Sequence, residues 1–473
     1  MPHTRTTVPG LRTPSVVFFV LAAAAPLTIL AGFVPLGLAA GGDSVVLGFL
    51  YPGLIYLLFA VGYTTIAAHV REGGAFLTYI TAGLGPKVGA AAGSIAYLGY
   101  LGGQIGFTAS ASVFASLTIE GLAGVRVHWL IIALVIILLV LTLALREVGV
   151  GARVVAILLI AEMTVLMIFF VAVLFQGGHE GLTLSPFSAD RWLSPALPGV
   201  FILTFIAFVG FEQTTVYRNE TSNPNRTIPR ATYAGVGLLI LLYSFGSWVI
   251  VQAAGESRLE TLLAHDPSQL VFDLNDEYVG PAMTGIMLIL VVTSFIAGVI
   301  AIHNTSARYL VFLSRAGLVT PRLKEMTPAG SPFTANIVQA ALVMLALSIF
   351  ALTDADPYTQ VVAWTNTPTI VAVLLLQILT SMAVIRFFRR RKTEVSFWKR
   401  TFAPAASAVL ISLALGLLIA KMGALTGLSF LGNLAILAPL VAAGVFGFFR
   451  ARRIDRTGNS LTDSEDTKER EEL

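Results

Sequence analysis

Two acidic residues stand out because of where they lie. Glu162 and Glu212 are the two carboxylates that fall inside apolar stretches long enough to cross a bilayer. A charged side chain at the bilayer centre costs about 2.5–3.5 kcal/mol on insertion scales, so such residues usually mark a solute or proton pathway. Proton carriage is the chemistry for which Glu162 and Glu212 are candidates. Glu162 has two other uses. It could ligate a cation together with Thr28, Thr293 or Ser294, or serve as a neutral acid bonded to a neighbouring helix. Glu212 could equally cap the positive end of a helix that starts there. Gln104, Ser294 and Trp364 are secondary pocket candidates at similar depth, with hydrogen bonding between helices as the plainer reading. His303 ends the eighth apolar stretch beside Asn304 and is expected to act as a polar cap, with titration near neutrality as the alternative.

A second kind of chemistry needs the backbone. A membrane helix that breaks exposes N–H and C=O groups, which is tolerable only against protein or beside a water-filled cavity. Ala25, Pro26, Leu27 and Thr28 form such a candidate in the first stretch, because proline removes a helical donor and frees a carbonyl one turn back. Phe205, Ala207, Phe208 and Gly210 form another, five stretches later. Small residues let a solute approach the chain, Gly210 permits unwinding, and the aromatic rings could cover what binds. Interrupted segments at corresponding positions of two halves are the best sequence pointer to a transport site.

These residues must be positioned by membrane helices. The chain of 473 residues is 56% hydrophobic and 12% charged, against about 25% charged in soluble domains. A span needs about 20 apolar residues. Twelve stretches qualify: 16–40, 45–68, 88–117, 127–145, 152–175, 198–217, 231–254, 282–303, 333–352, 361–385, 402–421 and 431–449. No ten-residue alternating pattern of a β-barrel is present. With the N-terminus inside, the inner segments hold 26 of the 30 Lys and Arg residues. The outer loops hold four: Arg126, Arg191, Arg258 and Lys421. Both termini are therefore expected to be cytoplasmic. The run from Arg389 to Lys392 anchors that topology, with an anionic-lipid site as the alternative. The tail 450–473 is charged and expected to be disordered.

Several classes drop out. This composition does not suit a soluble enzyme or a nucleic-acid binder. With no cysteine, neither disulfides nor thiolate metal sites can form. No lysine follows a glycine, so no phosphate-binding GxxxxGK[ST] loop exists to drive a pump. No metal-type histidine cluster or paired catalytic acids lie at membrane depth. Neither catalytic residues, a cofactor nor a metal is expected.

The combination of motifs resembles the amino acid–polyamine–organocation superfamily over nearly the whole chain. It consists of the glycine–aromatic–acid group at Gly210-Phe211-Glu212, the loop Asn223-Pro224-Asn225-Arg226-Thr227-Ile228-Pro229-Arg230-Ala231, the segment Asn304-Thr305-Ser306-Ala307-Arg308 continuing to Arg315-Ala316-Gly317, and Gly73-Gly74-Ala75-Phe76. The resemblance implies an all-α polytopic membrane protein of LeuT-like fold with twelve transmembrane helices. Residues 16–176 (spans 1–5) and 195–388 (spans 6–10) would be inverted repeats with helices 1 and 6 broken. Residues 402–449 would add two peripheral helices, and 1–15 would be a cytoplasmic N-terminus. It implies transport of amino acids, polyamines or related amines by alternating access, with Glu212 in the inner half of the pathway. Relatives often carry Gly-x-Gly in the first break, where this chain has Ala25-Pro26-Leu27-Thr28. Several proton-coupled relatives carry a lysine ten residues after the start of the helix that opens at Gly151-Ala152-Arg153, where this chain has Glu162. The expected function is proton-coupled symport of an amino acid, more readily neutral than polyamine, across a bacterial cytoplasmic membrane. An exchanger is the alternative, and a channel or transporter-derived sensor ranks below it. The expected partners are the solute, protons and membrane lipids, with no nucleic acid.

Overall fold

The computed structural model describes residues 12–70, 75–146, 152–212, 214–215, 221, 223–327, 330–391 and 394–456. Gly73 and Gly74, Gly151, Lys392 and the tail from 457 lie outside the described residues. Within them the regular structure is helical, with no β-strand.

Apolar sequence in long uninterrupted runs makes the helices, because a helix satisfies its own backbone without water. The first apolar stretch is three short helices in line: α1 (Thr13–Ala24), α2 (Pro26–Gly32) and α3 (Val34–Gly41). Then follow α4 (Ser44–Ala67), α5 (Ala75–Leu84), α6 (Pro86–Ala123), α7 (Trp129–Arg146) and α8 (Ala152–Gln176). The second half runs through α9 (Leu197–Ile206), α10 (Pro224–Ala254), α11 (Glu256–His265), α12 (Leu270–Tyr278), α13 (Pro281–Arg315), α14 (Phe333–Leu352) and α15 (Val362–Arg389). It closes with α16 (Ala403–Lys421), α17 (Gly423–Thr426) and α18 (Phe430–Arg456).

By length and composition, eleven helices among the described residues can cross a membrane, and Leu197–Ile206 is a shorter apolar helix. The protein is thus an all-helical, multi-pass membrane protein. The sixth expected span is this short α9 followed by a turn, because the helix stops at Ala207 instead of running on to Tyr217. His303 does not end a helix: α13 continues to Arg315, since Asn304, Thr305 and Ser306 carry no breaker and the first glycine after the helix is Gly317. Helix α18 likewise continues through Arg456, into the segment expected to be disordered.

The centre is built from α6 packed against α13, α15 and α18, with α10 against α4 and α1. Small residues set this spacing. At Gly102 an added Cβ would sit 2.8 Å from the Thr365 carbonyl oxygen, so only glycine lets α6 and α15 approach this closely. The outer faces of α7, α8, α16 and α18 present Ile131, Ile160, Leu413 and Val441 outward, a surface that lipid tails suit and water does not. Connections outside the spans are polar. Arg191 pairs with Asp43 at 3.0 Å, although burial outweighs that pairing and holds the Asp43 carboxyl above its usual range. Glu180 accepts from the Glu256 and Ser257 backbone N–H groups at 3.0 and 3.1 Å. These bonds and the Ser257 hydroxyl hold its carboxyl below the usual range.

Candidate functional site

Pro26 ends the first half-helix. It disfavours helical geometry at the residue before it, and Ala25 adopts the left-handed conformation with φ 45° and ψ 69°. The carbonyl of Ala24 loses its helical partner and accepts instead from the Tyr243 hydroxyl at 2.9 Å. At the far end of α2 the Gly32 carbonyl accepts from the Tyr358 hydroxyl at 2.9 Å. The second break follows α9. Val209 N–H bonds only three residues back, to Ile206 at 3.0 Å, and Gly210 turns the chain with φ 115°. Only glycine tolerates that angle without strain. Glu212 folds back so that its Oε2 accepts from the Gly210 N–H at 2.8 Å. Its carbonyl accepts from the Tyr63 hydroxyl at 3.0 Å, and the Phe205 carbonyl accepts from Tyr56 at 3.4 Å. Three buried tyrosines thus donate to carbonyls at the two breaks, and a fourth to the far end of α2. The sequence reading missed all four. Their signal was available: a buried tyrosine needs a partner for its hydroxyl.

Between the breaks lies a cavity of about 70 Å³. One wall is Ala23, Ala24, Ala25 and Ile29, and the facing wall is Ile206, Ala207, Val209, Gly210 and Glu212. Helix α6 contributes Tyr100, Gly103 and Phe107, α13 contributes Gly298, Ala301, Ile302 and Thr305, and α15 contributes Thr369. Of the expected solute contacts, Ala25, Ala207 and Gly210 line it, and so does Glu212, a candidate proton carrier. Pro26, Leu27 and Thr28 form the first turn of α2, wholly buried beside it. Phe205 and Phe208 turn away from it and pack on Tyr56 at 5.5 and 5.7 Å between ring centres.

Glu162 sits on α8, 4% exposed. Its carboxyl faces the Ser294 hydroxyl and the Leu27 backbone N–H, while Oε2 has no hydrogen-bond partner. Thr28 donates to Ser294 at 2.9 Å, so Thr28, Ser294 and Glu162 converge on the start of α2. Thr293 does not join them; its hydroxyl donates to the Leu290 carbonyl. The acid at the second break, Glu212, receives a long bond from Tyr100 at 3.4 Å, and Tyr100 stacks on Tyr309 at 5.2 Å.

The secondary candidates lie elsewhere. Gln339 donates to Gln104 at 2.7 Å, which leaves the Gln104 amide to donate to His303 Nδ1 at 3.0 Å. This buried chain ties α6, α13 and α14 together behind the cavity, and it gives His303 a mid-helix role in place of the expected cap. Trp364 donates to the Thr426 carbonyl at 2.8 Å and does not reach the cavity. A larger cavity of about 700 Å³ opens between the end of α6, the α11–α12 connection and the turn Pro357–Val361. Its Asp266 and Asp356 carboxylates already cap backbone N–H groups of Ser268, Tyr358 and Thr359. Among the described residues, no group of three or more His, Asp or Glu side chains is placed to hold a metal ion.

A family model described as amino acid permease matches residues 11–448. The chain belongs to this family. Membership places the permease in the amino acid–polyamine–organocation superfamily, as its motifs implied. It is similar to the L-lysine transport protein of Corynebacterium glutamicum, 22% identical over 70% of this chain and 66% of the relative. It is also similar to the low-affinity putrescine importer of Escherichia coli K12, 25% identical over 56% of this chain and 58% of the relative. A shorter match, 24% identical over 33% of each chain, is to an uncharacterized transporter of Legionella pneumophila. The chain spans less than two thirds of the length of each of these relatives.

Proposed function

We propose that the permease is a secondary active transporter. It imports an amino acid or related small amine with a proton, across a bacterial cytoplasmic membrane, by alternating access on a LeuT-like 5+5 repeat. The observation that carries this reading is the pair of helix breaks enclosing one cavity, with Glu162 set against the start of α2 beside the first break. The positive end of α2 suits a solute carboxylate, and carbonyls at the second break suit its ammonium. A carboxylate at Glu162 attracts the positive end of α2, and a protonated one attracts it less. Loading or releasing that proton therefore changes how firmly α2 is held to α8, which links the proton to the position of the solute-binding turn. The same oxygens of Thr28, Ser294 and Glu162 would also suit a sodium ion, so the test carries an arm for each ion.

Purified permease in liposomes should accumulate a labelled amino acid against its gradient when the outside is made acidic. Accumulation driven by sodium at equal pH would replace the proton with sodium. Uptake that needs only unlabelled solute inside would make the protein an exchanger. Flux that neither saturates nor concentrates the solute would remove the carrier reading.

A further inference from the structure

The cavity between the breaks is walled mostly by small residues, with two large rings of α6, Tyr100 and Phe107, among them. The Phe107 ring cannot retreat freely, because it lies 5.4 Å from Phe33 and 5.8 Å from Phe295, centre to centre, and both those rings are at most 1% exposed. On the other side it rests on Gly298 of α13. A Cβ added there would stand 3.2 and 3.3 Å from two ring carbons of Phe107, tighter than ordinary contact. The ring is thus held between a packed aromatic pair and a position where a methyl would fit only if the ring gave way by a few tenths of an ångström.

We propose that Phe107 sets the upper size of the solute side chain, and that the permease therefore selects amino acids with short neutral side chains. The inference rests on the reading that this cavity receives the solute. Its volume of about 70 Å³ is far below the roughly 300–1,000 Å³ of pockets that hold drug-sized ligands. The acid that lines it, Glu212, holds the turn through the Gly210 N–H at 2.8 Å, so a second ammonium on the solute would have to compete with the bond that shapes the break. Shortening Phe107 removes the wedge. Adding a methyl at Gly298 pushes the ring into the cavity.

Uptake of glycine, alanine, leucine, phenylalanine and lysine into proteoliposomes under an inward proton gradient tests this. The wild type should take alanine best. Phe107→Ala should raise leucine uptake relative to alanine by about 10-fold or more, the scale of one or two methylenes in an apolar pocket. Gly298→Ala should lower alanine uptake relative to glycine. Where Phe107→Ala does not yield folded protein, Phe107→Leu gives the same sign with a smaller cavity change. A wild type that prefers lysine or phenylalanine overturns the inference. So does an unchanged preference order in both variants, although active wild type would then leave the carrier reading standing. A wild type that takes up no amino acid removes both.

Discussion

Glu162 is buried with one carboxyl oxygen lacking a hydrogen-bond partner. If it carries the coupling proton, Glu162→Gln keeps the shape and loses the titration. That variant should bind solute and exchange it at near wild-type rates while failing to concentrate it under a pH gradient. Normal concentration by the variant would remove Glu162 from the coupling step. The cluster around it was legible in the sequence, because Thr28, Ser294 and Glu162 are polar residues in otherwise apolar stretches and polarity at depth is conspicuous. The partners of the tyrosines were not. Tyr56, Tyr63, Tyr243 and Tyr358 each need a hydrogen-bond partner when buried, but only the fold brings each hydroxyl to a particular carbonyl. For Phe205 and Phe208 aromatic type suggested a cover for the solute, whereas both rings pack on Tyr56 and neither lines the cavity.

The two breaks differ in how they are made. Gly210 sits at φ 115°, where alanine is strained, whereas Ala25 holds a left-handed φ of 45° without being glycine. A left-handed residue with a Cβ costs roughly 1–2 kcal/mol. Ala25→Gly should therefore keep the break and raise the thermal midpoint of the purified protein slightly. Gly210→Ala should lower transport by at least tenfold, with the protein still folded by size-exclusion profile. The opposite pattern, with glycine harmful at 25 and alanine harmless at 210, would mean that backbone angle does not control either turn. Proline and glycine thus announced both turns in the sequence. The ends of α13 and α18 were less legible, since polar residues such as Asn304 or Arg450 change a hydropathy reading without stopping a helix. Helices α11 and α12 were read only as a connection between spans, because short amphipathic segments carry too few apolar residues to mark themselves.

Across the whole molecule, the basic residues make a topology claim that is simple to check in a protein without a native cysteine. Glu260 and Arg390 are both exposed. A membrane-impermeant maleimide on intact cells should label Glu260→Cys at once and Arg390→Cys only after permeabilisation. The reverse result would invert the assigned orientation and turn the proposed importer around. Helix α6 adds a mechanical point. Its 38 residues span about 57 Å at the standard rise, nearly twice the roughly 30 Å of a hydrocarbon core. At tilts of up to about 40° such a rod still outruns the hydrocarbon core, and its Glu120 end helps form the rim of the larger cavity. Pivoting by about 5° about its other end would carry that rim about 5 Å sideways by the geometry of a rod this long. The same pivot would move the chain by about 3 Å at Phe107, roughly 32 Å from the pivoting end, so the needle's tip would travel nearly twice as far.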